Sequence, residues 1–315
     1  MMQNQFNQSQ PALQSEQVDQ WLSVYLFYEP PWEKFLTSAV YSFVSTVMNR
    51  RWADQFFFIR YWENGPHIRL RLKSSASDPD EHLRTLLLKH FEEYFSKHPS
   101  IRLREWEGMS ANNSVAFVAY QPEVERYGGA DGMVVAERQF MLSSQVALKI
   151  FSESENWTYQ DGLTNAIILH TSFAHAMKMD LSTATDFFRG VYSGWLSSAE
   201  RLIENNTTEN KPAEQIFAES FEKQEGALVP FVNELWSGLE ANEDFADEWL
   251  NLWIRETGLI YEDLRGINLH RGYPVFYSYV HMTNNRLGIS NHDEGYLGFL
   301  ISECLERIGK KDIHR

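Results

Sequence analysis

From His67 to Lys73 the chain alternates without a break: His67, Arg69, Arg71 and Lys73 are basic, and Ile68, Leu70 and Leu72 are aliphatic. A period of two puts the basic residues on one face of a strand and the aliphatics on the other. Upstream, Gln55–Trp62 is rich in aromatic and β-branched residues, and Glu63-Asn64-Gly65-Pro66 is a turn cluster that predicts a hairpin. A two-residue Asn64-Gly65 loop or a four-residue loop over 63–66 sets Trp62 opposite His67, Arg60 opposite Arg69 and Phe58 opposite Arg71. Like charges directly opposed destabilise a sheet. Two explanations stay open: the side chains are solvated or paired with the chain's own acids, or the face binds an anion. Arginine suits the second, because its planar fork grips a carboxylate or phosphate through two hydrogen bonds.

The rest of the chain is acidic. It has 28 basic against 43 acidic residues among 315, a formal charge of −15. That balance argues against nucleic-acid or anionic-membrane binding through net charge, and leaves room for one local basic site. At 43% hydrophobic and 14% aromatic the chain can bury a real core. Cys304 is the single cysteine, so an internal disulfide framework and a cysteine metal cluster are both excluded, and a core thiol is expected. His170 and His175 are five apart, which does not place them on one helix face. There is no HExxH, P-loop or dinucleotide fingerprint, so neither metal nor cofactor is expected. Residues 1–18 are polar and Gln-rich, without an apolar signal core, and read as a disordered leader. With no spanning helix predicted, a cytoplasmic location is the default expectation.

The predicted fold class is α+β, one domain over 19–315. Strands are expected over Trp21–Tyr28, the hairpin, Ile101–Trp106 and Val115–Tyr120, with helices at Pro31–Arg50 and Asp78–Lys97. After about Gly132 helical patterns dominate: Met133–Ser154, Thr158–Lys178, Ser182–Trp195, Pro212–Leu239, Asp244–Gly266, Tyr273–Leu287 and His292–Ile308. The stretch "ENNTTENKP" from Glu204 reads as a loop within the domain.

Two further stretches carry possible chemistry. In "YQPEVERYGG", Gly128 and Gly129 permit positive φ and could turn backbone N–H groups toward an anion, or simply form a tight turn. In "HMTNNRLG", His281 lies on a predicted helix, and its near-neutral titration suits proton transfer. Together with the hairpin and "WLSVYLFYEPPWEKFL", these motifs resemble, in order from about Trp21 to Ile308, the C-terminal domain of class I lanthipeptide dehydratases. The same family includes thiopeptide-type bacteriocin biosynthesis proteins.

The resemblance implies a lyase of a split dehydratase. A separate subunit using glutamyl-tRNA would esterify a Ser or Thr of a ribosomally made precursor peptide with glutamate. This chain would then eliminate the glutamate to leave dehydroalanine or dehydrobutyrine. It implies Arg69, Arg71, Arg126 and His281 as catalytic residues. Arg60, His67, Tyr127, Gly128, Gly129 and Asn285 are the expected substrate-binding set, and dimerisation is expected from the family. Two other readings stand beside it. One is a pyridine synthase of the same fold, joining two dehydroalanines. The other is a non-catalytic protein that binds a leader peptide along a strand edge.

Overall fold

The computed structural model describes residues 21–74, 81–206 and 211–312. The expected leader and the first residues of the helix predicted over 78–97 lie outside the described residues.

Four strands, β1 (Trp21–Phe27), β2 (Ala53–Tyr61), β3 (His67–Ser74) and β4 (Ser114–Phe117), form an antiparallel sheet in the order β2-β3-β1-β4. Alternation decides its faces. Leu22, Val24 and Leu26 of β1, Phe56 and Phe58 of β2, and Ile68, Leu70 and Leu72 of β3 are all buried. They join a core cluster with Phe35, Leu36, Val40 and Val44 from the helical run between β1 and β2, and with Phe91. That run comprises α1 (Glu33–Phe35), a π-helical stretch (Leu36–Tyr41) and α2 (Ser42–Asn49), while Phe91 belongs to α3 (Glu81–Lys97). Each side chain of this size contributes about 2 kcal/mol when buried. A one-residue slip, which would expose a strand's whole dry face, is therefore strongly disfavoured.

The register corrects the hairpin expectation. Tyr61 pairs with His67, Ile59 with Arg69 and Phe57 with Arg71, whereas Arg60 pairs with Ile68. The connection runs over 62–66, with Asn64 at φ 59° and Gly65 at φ 107°. This loop is one residue longer than the four-residue loop, and one residue inverts β2. Arg60 therefore points away from Arg69 and Arg71. It donates from Nη1 to Glu33 Oε1 at 2.8 Å and from Nε to the Arg286 carbonyl at 3.1 Å.

The strand expected over Ile101–Trp106 is also corrected. The segment has no strand pairing, and Ile101, Leu103 and Trp106 are exposed. β4 pairs instead with β1, over only four residues. Strand propensity reflects fit to a neighbouring surface, and here β1 is the neighbour.

The helices follow their patterns closely: α4 (Ala130–Glu153), α5 (Tyr159–Ala176), α6 (Leu181–Asn206), α7 (Ala213–Glu240), α8 (Glu248–Gly266), α9 (Tyr273–Leu287) and α10 (Asn291–Asp312). α6 continues past Trp195, its expected end, to Asn206. Thr158 and Asp161 form a capping box that starts α5.

Two helices close the open edge of β2. The Phe58 N–H donates to Ser144 Oγ of α4 at 3.1 Å. Asn285 of α9 accepts from the Arg60 N–H at 2.9 Å and donates to its carbonyl at 3.0 Å. Polar side chains thus supply the pairing that a further strand would give, and the edge is covered. The same contacts fix α9 against the sheet. Gly288 ends α9 in the left-handed conformation at φ 83°, and a Cβ there would meet Arg60 Nη1 at 2.9 Å. The "NNRLG" part of the motif is thus accounted for by the docking of α9 onto β2.

Candidate active site

The basic face of the hairpin opens into a cleft of about 280 Å³, lined by Arg69, Arg71, Glu123, Arg126, His281 and Asn285 over an apolar floor that includes Phe57, Phe140 and Met282. A groove of about 530 Å³ elsewhere is larger. Its cations, however, are already in ion pairs: Lys149 with Glu153 at 2.8 Å and Arg255 with Glu256 at 3.1 Å. In the smaller cleft Arg126 pairs with Glu123 and Arg69 lies 3.5 Å from Glu63, but the buried Arg71 has no ion pair among the described residues, and that cation singles the cleft out.

Arg69 lies over the Tyr61 ring at 3.4 Å and over Tyr25 at 4.6 Å. Both rings come from the strands beside β3, so the sheet brings the guanidinium against two aromatic faces. His67 sits behind it. Its Nδ1 meets the Gly65 carbonyl at 2.7 Å, and its Nε2 receives the Arg69 Nε–H at 3.2 Å. Burial lowers its pKa to about 4, opposed in part by the Gly65 hydrogen bond. The ring is then neutral, with Nδ1 the donor and Nε2 the acceptor, and His67 braces both the turn and Arg69 from outside the cleft lining.

Arg71 is 6% exposed, and its Nε and Nη1 are buried without a partner. Its guanidinium lies between Tyr120 at 4.8 Å and Phe57 at 5.3 Å. Burial lowers its pKa, partly opposed by Tyr120 and Tyr25. It makes no ion pair among the described residues. An unanswered buried guanidinium is costly, and an anion in the cleft would remove that cost.

Arg126 reaches the cleft from the turn before α4. Its Nε donates to Ser278 Oγ of α9 at 3.0 Å and its Nη1 to Glu123 Oε2 at 2.8 Å. This bond ties the Arg126 turn to α9 across 152 residues of chain. His281 lies one turn further along α9, and Asn285 one turn beyond it. Steps of three and four residues put all three on one helix face. Tyr127 is 2% exposed, stacks on Tyr279 and forms part of the floor; burial raises its pKa to about 12.

The glycine expectation is corrected. The Gly128 N–H donates to the Glu125 carbonyl at 3.2 Å and the Gly129 N–H to the Val124 carbonyl at 2.9 Å. Neither is available to an anion. Gly128, at φ 84°, is required because a Cβ would meet Leu269 at 2.7 Å. The tight-turn reading is the one the structure bears out.

The cleft therefore gathers Arg69, Arg71, Arg126, Tyr127, His281 and Asn285, and leaves Arg60, His67 and the two glycines outside its lining. Sequence reasoning missed Glu123, whose signal was its place three residues before Arg126. It also missed Tyr61 and Tyr120, which resembled ordinary strand residues. His170, set aside as a ligand, is buried and meets Asn284 Oδ1 at 2.6 Å. Among the described residues no cluster of His, Cys, Asp or Glu could hold a metal, and no helix is long and apolar enough to cross a membrane.

A small antiparallel sheet carrying a cationic, aromatic-lined cleft roofed by α9 defines the class, and comparison gives the family. The sequence model of the lantibiotic biosynthesis dehydratase C-terminal family matches residues 21–305, and the chain belongs to that family. No curated protein matches it. Among solved structures, the fold is similar to the pyridine synthase TbtD from thiomuracin biosynthesis, with 16% identity and a TM-score of 0.73 over 92% of this chain and 99% of that one. It is similar to the tRNA-dependent lantibiotic dehydratase MibB from Microbispora sp. 107891, with 18% identity and a TM-score of 0.64 over 93% of this chain and 28% of that one. TsrL is a third, with 16% identity and a TM-score of 0.59 over 92% and 95%. At these identities the likeness concerns the fold.

Proposed function

We propose that this protein is a lyase that eliminates glutamate from O-glutamylated Ser or Thr residues of a ribosomally made peptide. Its partners would be that peptide and a separate glutamylating subunit that uses glutamyl-tRNA. The observation that carries the reading is Arg71: a buried guanidinium with two unanswered nitrogens, in the same cleft as Arg69, Arg126 and His281. A glutamyl ester supplies a carboxylate partner for Arg71, both on the adduct and on the leaving group.

In the reaction His281 takes the peptide Cα proton. The electron pair forms the Cα–Cβ double bond as the Cβ–O bond breaks, and glutamate leaves as a carboxylate. Arg71 and Arg69 receive the charge that builds on that oxygen, in a partly dry site where such stabilisation is strongest. Arg126, already bound to Glu123, is placed to exchange that carboxylate for one from the adduct. A substrate carboxylate clamped by arginine is a poor base, which leaves the proton to the imidazole.

A second reading is a pyridine synthase, favoured by the fold likeness to TbtD over nearly all of that chain. A synthetic O-glutamyl-Ser peptide separates the two. Mass loss corresponding to glutamate, with appearance of dehydroalanine, supports the lyase. An unchanged glutamyl peptide, together with cyclisation of a peptide bearing two dehydroalanines, rejects it in favour of the synthase.

A further inference from the structure

His281 is not free to turn. Its Nδ1 lies 2.8 Å from Glu294 Oε1, and the Glu294 side chain is 1% exposed. Trp195 covers one side of the ring, with centroids 5.2 Å apart. The imidazole lines the cleft and keeps 22% of its side chain exposed, so the edge away from Glu294 is the one available to a ligand. Glu294 lies in the first turn of α10, where the helix dipole favours a carboxylate. Burial pushes its carboxyl up, while His281 and Asn284 both favour the ionised form. Deeper in the core, Asn284 Oδ1 meets His170 Nε2 at 2.6 Å.

We infer that Glu294 is the positioning residue for His281: its carboxylate accepts the Nδ1–H and so presents the Nε2 lone pair to the cleft. The two ring nitrogens are distinct, and the hydrogen bond made by one decides what the other can do. With Nδ1 protonated, Nε2 can only accept. The Cα proton then moves to Nε2, and the ionised Glu294 stabilises the resulting imidazolium without taking a proton itself. The opposite tautomer would aim an N–H at the substrate and leave no base. The inference rests on the proposed role of His281 as the base, yet the tautomer can be read without turnover.

The experiment is nitrogen NMR of protein labelled with ¹⁵N-histidine, above neutral pH, with His281 assigned by the signals lost in His281→Gln. The expected result is a protonated Nδ1 and a bare Nε2 in the wild type, and a shift toward the other tautomer in Glu294→Gln. A wild-type His281 protonated at Nε2 overturns the inference, whether or not any variant folds. On the glutamyl peptide, Glu294→Gln should lower kcat by about 10²- to 10⁴-fold while KM stays close to the wild-type value. Unchanged kcat in a folded Glu294→Gln protein also overturns it. A wild-type protein with the expected tautomer but no elimination defeats the lyase reading and leaves the His281–Glu294 arrangement standing.

Discussion

Arg60 and Arg71 belong to one hairpin and are almost equally buried, at 4% and 6% exposed. Both lie over aromatic rings, and Arg60 too keeps one unpartnered nitrogen, Nη2, but only Arg60 has an ion pair. Arg60 has Glu33 and a backbone carbonyl within hydrogen-bond reach. Arg71 has aromatic rings and two nitrogens with nothing to donate to. Burial of a charge is tolerated when it is paired, and Arg60 meets that condition within the protein. Arg71 does not meet it among the described residues. The pairing of Arg60 bears on stability, whereas on the proposed function the unpaired Arg71 is left for a ligand.

The sharpest way to break this comparison is Arg71→Ala. Elimination should fall by at least about 10³-fold, at the upper end of what a lost anion donor costs. Glutamylated peptide should accumulate when the variant is co-expressed with a glutamylating subunit and substrate. The urea midpoint should stay the same or rise, because an unpaired buried charge has been removed. Full dehydration by this variant would remove Arg71 from the site. His281→Ala should cut the single-turnover rate by about two to four orders of magnitude with adduct binding retained. Wild-type turnover would make His281 a structural residue.

Arg60→Ala tests the other half. It leaves Glu33 without its cation, and unfolding in urea should show a loss of about 3 kcal/mol, the low end for breaking a buried pair, since the Glu33 side chain keeps 25% exposure. The folded fraction should still eliminate glutamate at close to the wild-type rate. Activity lost with full stability would put Arg60 back in the site.

A smaller effect concerns pH. Burial holds His67 and His170 at about 4 in the fold, against an ordinary value of 6.5. As pH falls, the unfolded chain takes up these protons first. The stability contributed is therefore complete above about 6.5 and is lost progressively down to about 4, by up to roughly 3 kcal/mol for each ring. Urea midpoints measured across that window should fall, and His170→Gln should flatten its share of the slope. An equal slope in that variant would show that His170 contributes none of it.

The alternation of β3, the α+β class and the positions of the helices were legible in the sequence, because they depend on the period of a short stretch of chain. Arg69, Arg71, Arg126 and His281 were legible as a set through their motifs. The register of β2 was not. A four-residue and a five-residue connection read almost alike around Asn64-Gly65, yet the difference moved Arg60 from the cleft to the core. The Gly128-Gly129 pair shows a related limit: the sequence reveals that positive φ is allowed, but not where the N–H groups point.

What the sequence determined by itself was local: which face of a strand is charged, where helices run, and which residue types could hold an anion or move a proton. Tertiary structure decided which charges are answered. Glu33 reaches Arg60 because α1 packs beside β2, Ser278 reaches Arg126 because α9 docks on the edge of β2, and Glu294 reaches His281 because α10 lies beside α9. The physical reason is range. Periodicity acts over a few residues, whereas the pairing of a buried charge depends on a partner that folding delivers from anywhere in the chain.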